Sequence, residues 1–238
     1  MLDWPDCRNA RDLGGLRTTD GGRIRHGALI RADDLAHLTA EGVAAVRAAG
    51  VVRIVDLRGT AEVATLPGPF AGNTRYRWLP YIDEEADQRR DPVAEATVLA
   101  TYRGGLGRHG RNIVAALRAV LDAPPGAVVV HCAAGKDRTG IVVALALTVA
   151  GVGPGEVATD YTLSARNLRA RFAERLAALP AGAEREALLW EQQSCRPETI
   201  LGALGHLTDR YGGVPAYFAR HGMTADELAA LRRRLREA

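Results

Sequence analysis

The feature that most constrains the fold is a strongly apolar segment, residues 127–150, which a short polar loop interrupts. Residues 127–131 are rich in valine and predict a buried strand, because short β-branched runs are typical of strands that are covered on both faces. Residues 139–150 form a second apolar run and predict a buried helix. The loop between them reads Cys-Ala-Ala-Gly-Lys-Asp-Arg. A buried strand that leads through a tight loop into a buried helix predicts an α/β fold.

The segments before this loop contain further strands and helices. Thr39 is placed to cap a helix that runs to about residue 49, and a densely charged stretch at 83–91 predicts an exposed loop or a mobile insertion. The other strands are predicted at 28–31, 51–57 and 75–79, and helical patterns at about 93–103 and 109–122.

Helices dominate the chain after residue 153. Thr224 with Glu227 forms a capping box for the last of them. Without internal repeats or a long linker, residues 1–238 are predicted to be a single domain with a helix-rich C-terminal half and a lid insertion at about 83–105. The helices of this half are predicted at 154–178, 184–192, 197–211, 213–221 and 224–236.

Composition narrows the class of protein. The net charge of +3 over 238 residues argues against nucleic acid as a partner, and no run of about 18 apolar residues predicts a membrane span. The N-terminus lacks the apolar core of a secretory signal. Three isolated cysteines make neither a disulfide framework nor a zinc pattern, so we expect a reducing, cytoplasmic compartment and no cofactor. Export without a leader stays open.

The loop itself carries the chemistry. Cys132 and Arg138 enclose five residues, and Lys136 is the only lysine of the chain. A cysteine at a helix N-terminus or beside a cation can ionise near neutral pH and attack a phosphate ester. Successive backbone N–H groups of residues 133–138 can form a nest around three phosphoryl oxygens. Arg138 offers its planar fork to two of those oxygens, so the pattern predicts a phosphate site.

Neighbouring side chains are expected to support this site. Thr139 can donate its hydroxyl to the Cys132 sulfur and so ease the departure of the sulfur from phosphate. His131 is expected to orient the loop by hydrogen bonds. Asp137 can protonate the leaving oxygen and later activate water.

These residues resemble the Cys-x5-Arg phosphatases, and the sequence His-Cys-x-x-Gly-Lys-Asp-Arg-Thr-Gly is similar to the bacterial tyrosine phosphatase-like family. Members of that family include dual-specificity and phosphoinositide phosphatases. The resemblance extends to four other segments, which are distributed over most of the length of the chain. They are residues 9–15 with Asp12, residues 55–58 with Asp56 and Arg58, residues 160–164, and residues 211–217.

The resemblance implies a tyrosine phosphatase-like fold, with a central and mostly parallel sheet flanked by helices. It implies that Cys132 is the nucleophile, Arg138 the phosphate clamp and Asp137 the general acid. Asp56 would hold Lys136 or the loop by an ion pair. Asp83 is the alternative acid, because many tyrosine phosphatases carry this group on a loop that precedes the cysteine.

Three functions stay open at this point. The first is a protein-tyrosine phosphatase, of single or dual specificity, that acts on phosphotyrosine proteins through a phosphocysteine and without metal. The second is a phosphoinositide phosphatase, since Lys136 adds charge for a polyphosphorylated head group. The third is a phosphoprotein-binding pseudophosphatase. The alternative to all three functions is that Cys132 is a buried, inert cysteine after a strand. The Gly-Lys-Asp-Arg-Thr-Gly run argues against this interpretation.

Overall fold

The computed structural model describes residues 1–193 and 195–237, apart from the side chains of residues 190–193. Within these ranges the strands form one five-stranded sheet in the order β1-β2-β5-β3-β4. The β1–β2 pair is antiparallel, whereas β2–β5, β5–β3 and β3–β4 are parallel. The strands are β1 (Arg11–Asp12), β2 (Ile30–Ala32), β3 (Val51–Asp56), β4 (Tyr76–Trp78) and β5 (Ala127–His131).

Helices cover both faces of this sheet, so the predicted α/β fold with a mostly parallel sheet and a helical C-terminal half is confirmed. No helix within the described residues is long and apolar enough to cross a membrane. The helices are α1 (Ala40–Ala48), α2 (Thr60–Thr65), α3 (Glu84–Asp87), α4 (Val98–Arg108), α5 (Gly110–Leu121), α6 (Asp137–Ala150), α7 (Pro154–Asn167), α8 (Arg169–Ala178), α9 (Ala183–Gln193), α10 (Pro197–Tyr211), α11 (Val214–Arg220) and α12 (Ala225–Leu235).

Strand β5 lies at the centre of the sheet and is buried throughout. Val128 and Val130 pack into the larger core with α4–α7 and α10–α12, whereas Ala127 and Val129 face the smaller core on the other side of the sheet. This two-sided burial explains why the run is continuously apolar rather than alternating. Parallel strands place their carboxyl ends at one edge of the sheet, and β5 therefore delivers the loop after His131 to the edge where ligands bind in open α/β sheets.

Some predicted elements were wrong in position. The stretch predicted as a loop at 83–91 contains α3, which Asp83 caps by accepting a hydrogen bond from the Ala86 amide. The helix predicted at 93–103 starts only at Val98, because the Thr97 side chain caps it through the Ala100 amide. The short helix α2 and the two-residue strand β1 were not predicted.

The helix predicted at 154–178 is divided at Leu168 into α7 and α8. Leu168 is buried against Phe172 and Leu188, so the break allows a satellite apolar cluster to form beneath α8. The capping box of α12 is confirmed, since Thr224 and Glu227 exchange side chain to backbone bonds of 2.7 and 3.2 Å.

Candidate active site

Residues 132–136 connect β5 to α6 in a turn that demands glycine at one position. Gly135 has φ of +61°, in the left-handed region that side chains disfavour. A Cβ at this residue would lie 2.2 Å from the carbonyl oxygen of Ala32. The loop therefore sits directly on the end of β2, and only glycine allows that approach.

The carbonyl groups of residues 133–136 all accept hydrogen bonds from side chains elsewhere in the chain. Arg171 on α8 donates to the first carbonyl, Asn9 donates to the second and third, and Arg31 on β2 to the third and fourth, at 2.5 to 3.4 Å. Because the N–H of a trans peptide points away from its C=O, the N–H groups of these units face the opposite side. The loop thus presents a nest of donors to an anion.

Two buried arginines below the loop share one carboxylate. Arg31 and Arg11 pair with the two oxygens of Asp160 at 2.6 and 2.7 Å. Burial alone would raise the pKa of Asp160, but the two guanidinium groups outweigh it and hold that pKa below its usual range. Burial and the neighbouring Arg31 lower the pKa of Arg11 to about 10, so it stays charged at neutral pH. The group carries a net positive charge beneath the nest.

Cys132 is 2% exposed and lines a cavity of about 230 Å³. Ala133, Ala134, Asp137 and Arg138 complete the side that the loop supplies. The opposite wall comes from α8 and the residue before it, and it consists of Leu168, Arg171, Phe172 and Arg175. Three arginines and a nest of N–H groups around a cysteine make this cavity suited to an anion, and its Leu168–Phe172 side is suited to an apolar ring.

Arg138 is held by Glu62, a residue that sequence reasoning missed. The Glu62 carboxylate accepts from both terminal nitrogens of Arg138, at 2.5 and 2.8 Å, and from the Gly59 amide at 2.8 Å. Burial would raise the pKa of Glu62, but the bonds from Arg138 and Gly59 outweigh it and lower that pKa. The available signal was the Gly-Thr-Ala-Glu segment after Arg58, which is typical of a helix start.

Asp137, the first residue of α6, lines the Cys132 cavity with 34% of its side chain exposed. Its Oδ1 accepts a bond of 2.5 Å from the Tyr102 hydroxyl, and its Oδ2 lies 3.5 Å from Lys136 Nζ. Asp83, the alternative acid, uses its carboxylate to cap α3 and is not among the residues that line this cavity. The geometry therefore favours Asp137 over Asp83.

Lys136 is fully buried, with its ammonium 5.6 Å from the centroid of the Phe172 ring. It is not among the residues that line the cavity. Arg171 and Arg175, by contrast, do line the cavity.

Asp56 and Arg58 form a buried pair at the end of β3. Asp56 Oδ2 accepts from Arg58 and from the Tyr76 hydroxyl at 2.7 and 2.8 Å, and it lies 3.6 Å from His131 Nε2. Arg58 also reaches Asp34 at 3.0 Å. Burial lowers the pKa of His131, which favours the neutral imidazole at pH 7. The contact of Asp56 with His131 thus links the end of β3 to the end of β5, just before Cys132.

One supporting side chain does not form the bond expected of it. The Thr139 hydroxyl is buried but has no hydrogen-bond partner within the described ranges, so the expected bond to the Cys132 sulfur is not formed in this structure. Asp12 lies away from the cavity and ties the N-terminal loop together by accepting from the amides of Gly14 and Gly27.

The other two cysteines are buried thiols, and all three cysteines are free. Cys7 donates to Asp33 at 2.9 Å, and Cys195 donates to the Tyr161 carbonyl at 3.3 Å. Burial raises the pKa of both, which keeps them protonated. Within the described residues, no cluster of three His, Cys, Asp or Glu is placed to hold a metal ion.

A cysteine at a strand end, followed by an arginine in the first turn of a buried helix, defines the class of cysteine-dependent phosphatases. The chain belongs to the tyrosine phosphatase family, whose family model matches residues 2–237, and its activity is accordingly that of a protein-tyrosine phosphatase. It is similar to the triple specificity protein phosphatase PtpB of Mycobacterium tuberculosis, with 29% identity over 95% of this chain and 89% of that protein. It is also similar to a tyrosine-protein phosphatase of Nostoc commune, with 29% identity over 89% of this chain and 75% of that protein.

Proposed function

We propose that the protein hydrolyses phosphomonoesters through a phosphocysteine on Cys132. The observation that carries the proposal is the meeting of Cys132, Asp137 and Arg138 in one cavity, above a loop whose carbonyls are all turned away. A core that extends from Leu13 to Leu235 supports a single phosphatase domain over residues 1–238.

In the first step the Cys132 thiolate attacks phosphorus, the P–O ester bond breaks, and Asp137 gives its proton to the leaving oxygen. In the second step Asp137 takes a proton from water, which attacks phosphorus and releases phosphate and the thiolate. Arg138 and the N–H groups of residues 134–137 bind the phosphoryl oxygens throughout. The Arg11–Arg31–Asp160 group adds positive potential from below.

We further propose phosphotyrosine as the principal substrate, with phosphoserine and phosphothreonine accepted more slowly. Support comes from the apolar wall of Leu168 and Phe172, against which an aryl ring can pack while its phosphate reaches Cys132. A phosphoserine places its phosphate closer to its backbone and leaves this wall uncovered. The name of the relative PtpB, a triple specificity phosphatase, is consistent with a broader range.

A phosphoinositide is the second candidate substrate. Arg171 and Arg175 line the cavity opposite the loop and offer cations to further phosphates of a head group. The two candidate substrates depend on different residues of α8, because an aryl ring would pack against Phe172 whereas a head group would bind Arg171 and Arg175.

The test measures hydrolysis of a phosphotyrosine peptide, a phosphoserine peptide and a phosphoinositide by the protein and by Cys132→Ser. We expect turnover on the phosphotyrosine peptide and none by Cys132→Ser. Phosphotyrosine peptide bound by the unaltered chain without turnover would point to the pseudophosphatase, and turnover that survives in Cys132→Ser would refute the phosphocysteine. Arg175→Gln should weaken only phosphoinositide turnover, if that activity exists.

A further inference from the structure

Two buried tyrosine hydroxyls form a hydrogen-bonded chain that ends on Asp137. Tyr102 on α4 is 2.5 Å from Asp137 Oδ1 and 2.8 Å from the hydroxyl of Tyr161 on α7. Their side chains are almost fully buried, with relative exposures of 6% and 1%, and their rings meet edge to face at 6.4 Å. Helix α7 thus contacts α4, and α4 in turn contacts the carboxyl group on α6.

The direction of the hydrogen bonds follows from protonation. Burial raises the pKa of both Tyr102 and Tyr161, so both hydroxyls keep their protons at neutral pH. An ionised carboxylate can only accept, so Tyr102 donates to Asp137. The Tyr102 oxygen is then free to accept from Tyr161, and the chain runs Tyr161 to Tyr102 to Asp137.

The two oxygens of Asp137 therefore have different surroundings. Oδ1 is committed to Tyr102, whereas Oδ2 lies 3.5 Å from Lys136 Nζ, beyond a good hydrogen bond. Arg138 is the next residue and contacts Glu62 rather than Asp137. When the carboxyl is protonated, Oδ2 is the oxygen left to carry the proton.

We propose that Tyr102 is a positioning residue for the general acid: it holds Asp137 by Oδ1 so that Oδ2–H faces the leaving oxygen, with Tyr161 holding Tyr102 in turn. The inference rests on the role of Asp137 given under Proposed function. As the P–O bond breaks, the Oδ2 proton passes to the ester oxygen. The carboxylate that remains accepts from Tyr102, which keeps its own proton throughout.

The test compares hydrolysis of phenyl phosphate, whose leaving group needs protonation, with that of para-nitrophenyl phosphate, whose leaving group needs it far less. Tyr102→Phe should lower kcat on phenyl phosphate by about tenfold and on para-nitrophenyl phosphate by less than about threefold, with KM little changed. Tyr161→Phe keeps Tyr102 in place and should give a smaller loss of the same kind. It also serves if Tyr102→Phe does not fold.

The matched control is Tyr217→Phe, since the Tyr217 hydroxyl donates to the Leu106 carbonyl on the same helix α4 but does not contact Asp137. It should lower both rates alike or not at all. Tyr102→Phe combined with Asp137→Asn should be no slower than Asp137→Asn alone.

The outcomes distinguish the role of Tyr102 from the role of Asp137. A leaving-group effect in Asp137→Asn but not in Tyr102→Phe would overturn the positioning role and leave Asp137 as the acid. No leaving-group effect in Asp137→Asn itself would refute the role of Asp137, and the role of Tyr102 with it.

Discussion

Replacing Glu62 by glutamine tests how Arg138 is prepared for phosphate. The variant keeps the size of the side chain and its bond to the Gly59 amide, but it removes the charge that anchors the guanidinium through two bonds. The pair is partly exposed, at 20% for Arg138 and 37% for Glu62. Exposed pairs contribute about 0–1 kcal/mol and buried charged hydrogen bonds about 1.5–3 kcal/mol, so we expect a stability loss of about 1 kcal/mol.

The structure also predicts whether Glu62→Gln strengthens or weakens phosphate binding. Arg138 has five N–H donors, and Glu62 takes one from each terminal nitrogen, which leaves Nε–H and two others. Arg138 lines the Cys132 cavity whereas Glu62 does not, so we expect phosphate to bind the donors of the guanidinium that Glu62 leaves unused. Glu62 therefore orders Arg138 rather than competing with substrate. Without it, ordering the side chain costs roughly 0.5–1.5 kcal/mol, which weakens phosphate binding about twofold to twelvefold.

The assay is competitive inhibition of para-nitrophenyl phosphate hydrolysis by inorganic phosphate, with urea unfolding as the measure of stability. Glu174→Gln is the matched control, because Glu174 also pairs with an arginine, Arg8, but at an exposed site. Glu62→Gln should raise both KM and the inhibition constant, whereas Glu174→Gln should change neither. Tighter phosphate binding in Glu62→Gln would show that Glu62 blocks Arg138, and the reasoning would be refuted.

Two further substitutions examine the base of the site. Gly135→Ala forces a Cβ against the Ala32 carbonyl, so it should cost about 2–4 kcal/mol of stability in urea unfolding and abolish phosphate binding. The control is Gly205→Ala on α10, where a Cβ meets open space, and it should be neutral or stabilising. Equal effects of the two substitutions would contradict the predicted clash at Gly135. Asp160→Asn should cost about 3–5 kcal/mol at pH 7, because it leaves two buried arginines unpaired. Since the folded pKa of Asp160 is lowered, its contribution is present above about pH 4 and is lost as the pH falls further, so acid should destabilise the unaltered protein more than Asp160→Asn.

The sequence was sufficient to predict features that depend on residues close together along the chain. Strand β5 and helix α6 follow from local apolar patterns, and the α12 capping box follows from two residues three positions apart. The arrangement of Cys132, Asp137 and Arg138 is local in the same sense, because a single strand–loop–helix unit supplies all three residues.

Contacts between distant segments could not be predicted in this way. Glu62 and Tyr102 are 76 and 35 residues away from their partners in the loop, and Arg171 contacts a carbonyl 38 residues earlier. Each is one of many glutamates, tyrosines or arginines, and only the packing of α2, α4 and α8 selects it. The break at Leu168 has the same origin, since burial in the cluster with Phe172 divides a pattern that is locally helical throughout.

The way the loop carbonyls are held has a consequence for the order in which the protein acquires function during synthesis. A nascent chain released as far as the end of α6 already carries Cys132 and Arg138, but it lacks Asp160, which neutralises Arg31, and Arg171, which holds the Ala133 carbonyl. Cys132 is thus synthesised before α7 and α8, which hold its loop in place. We therefore expect activity only after α7 and α8 have emerged and docked.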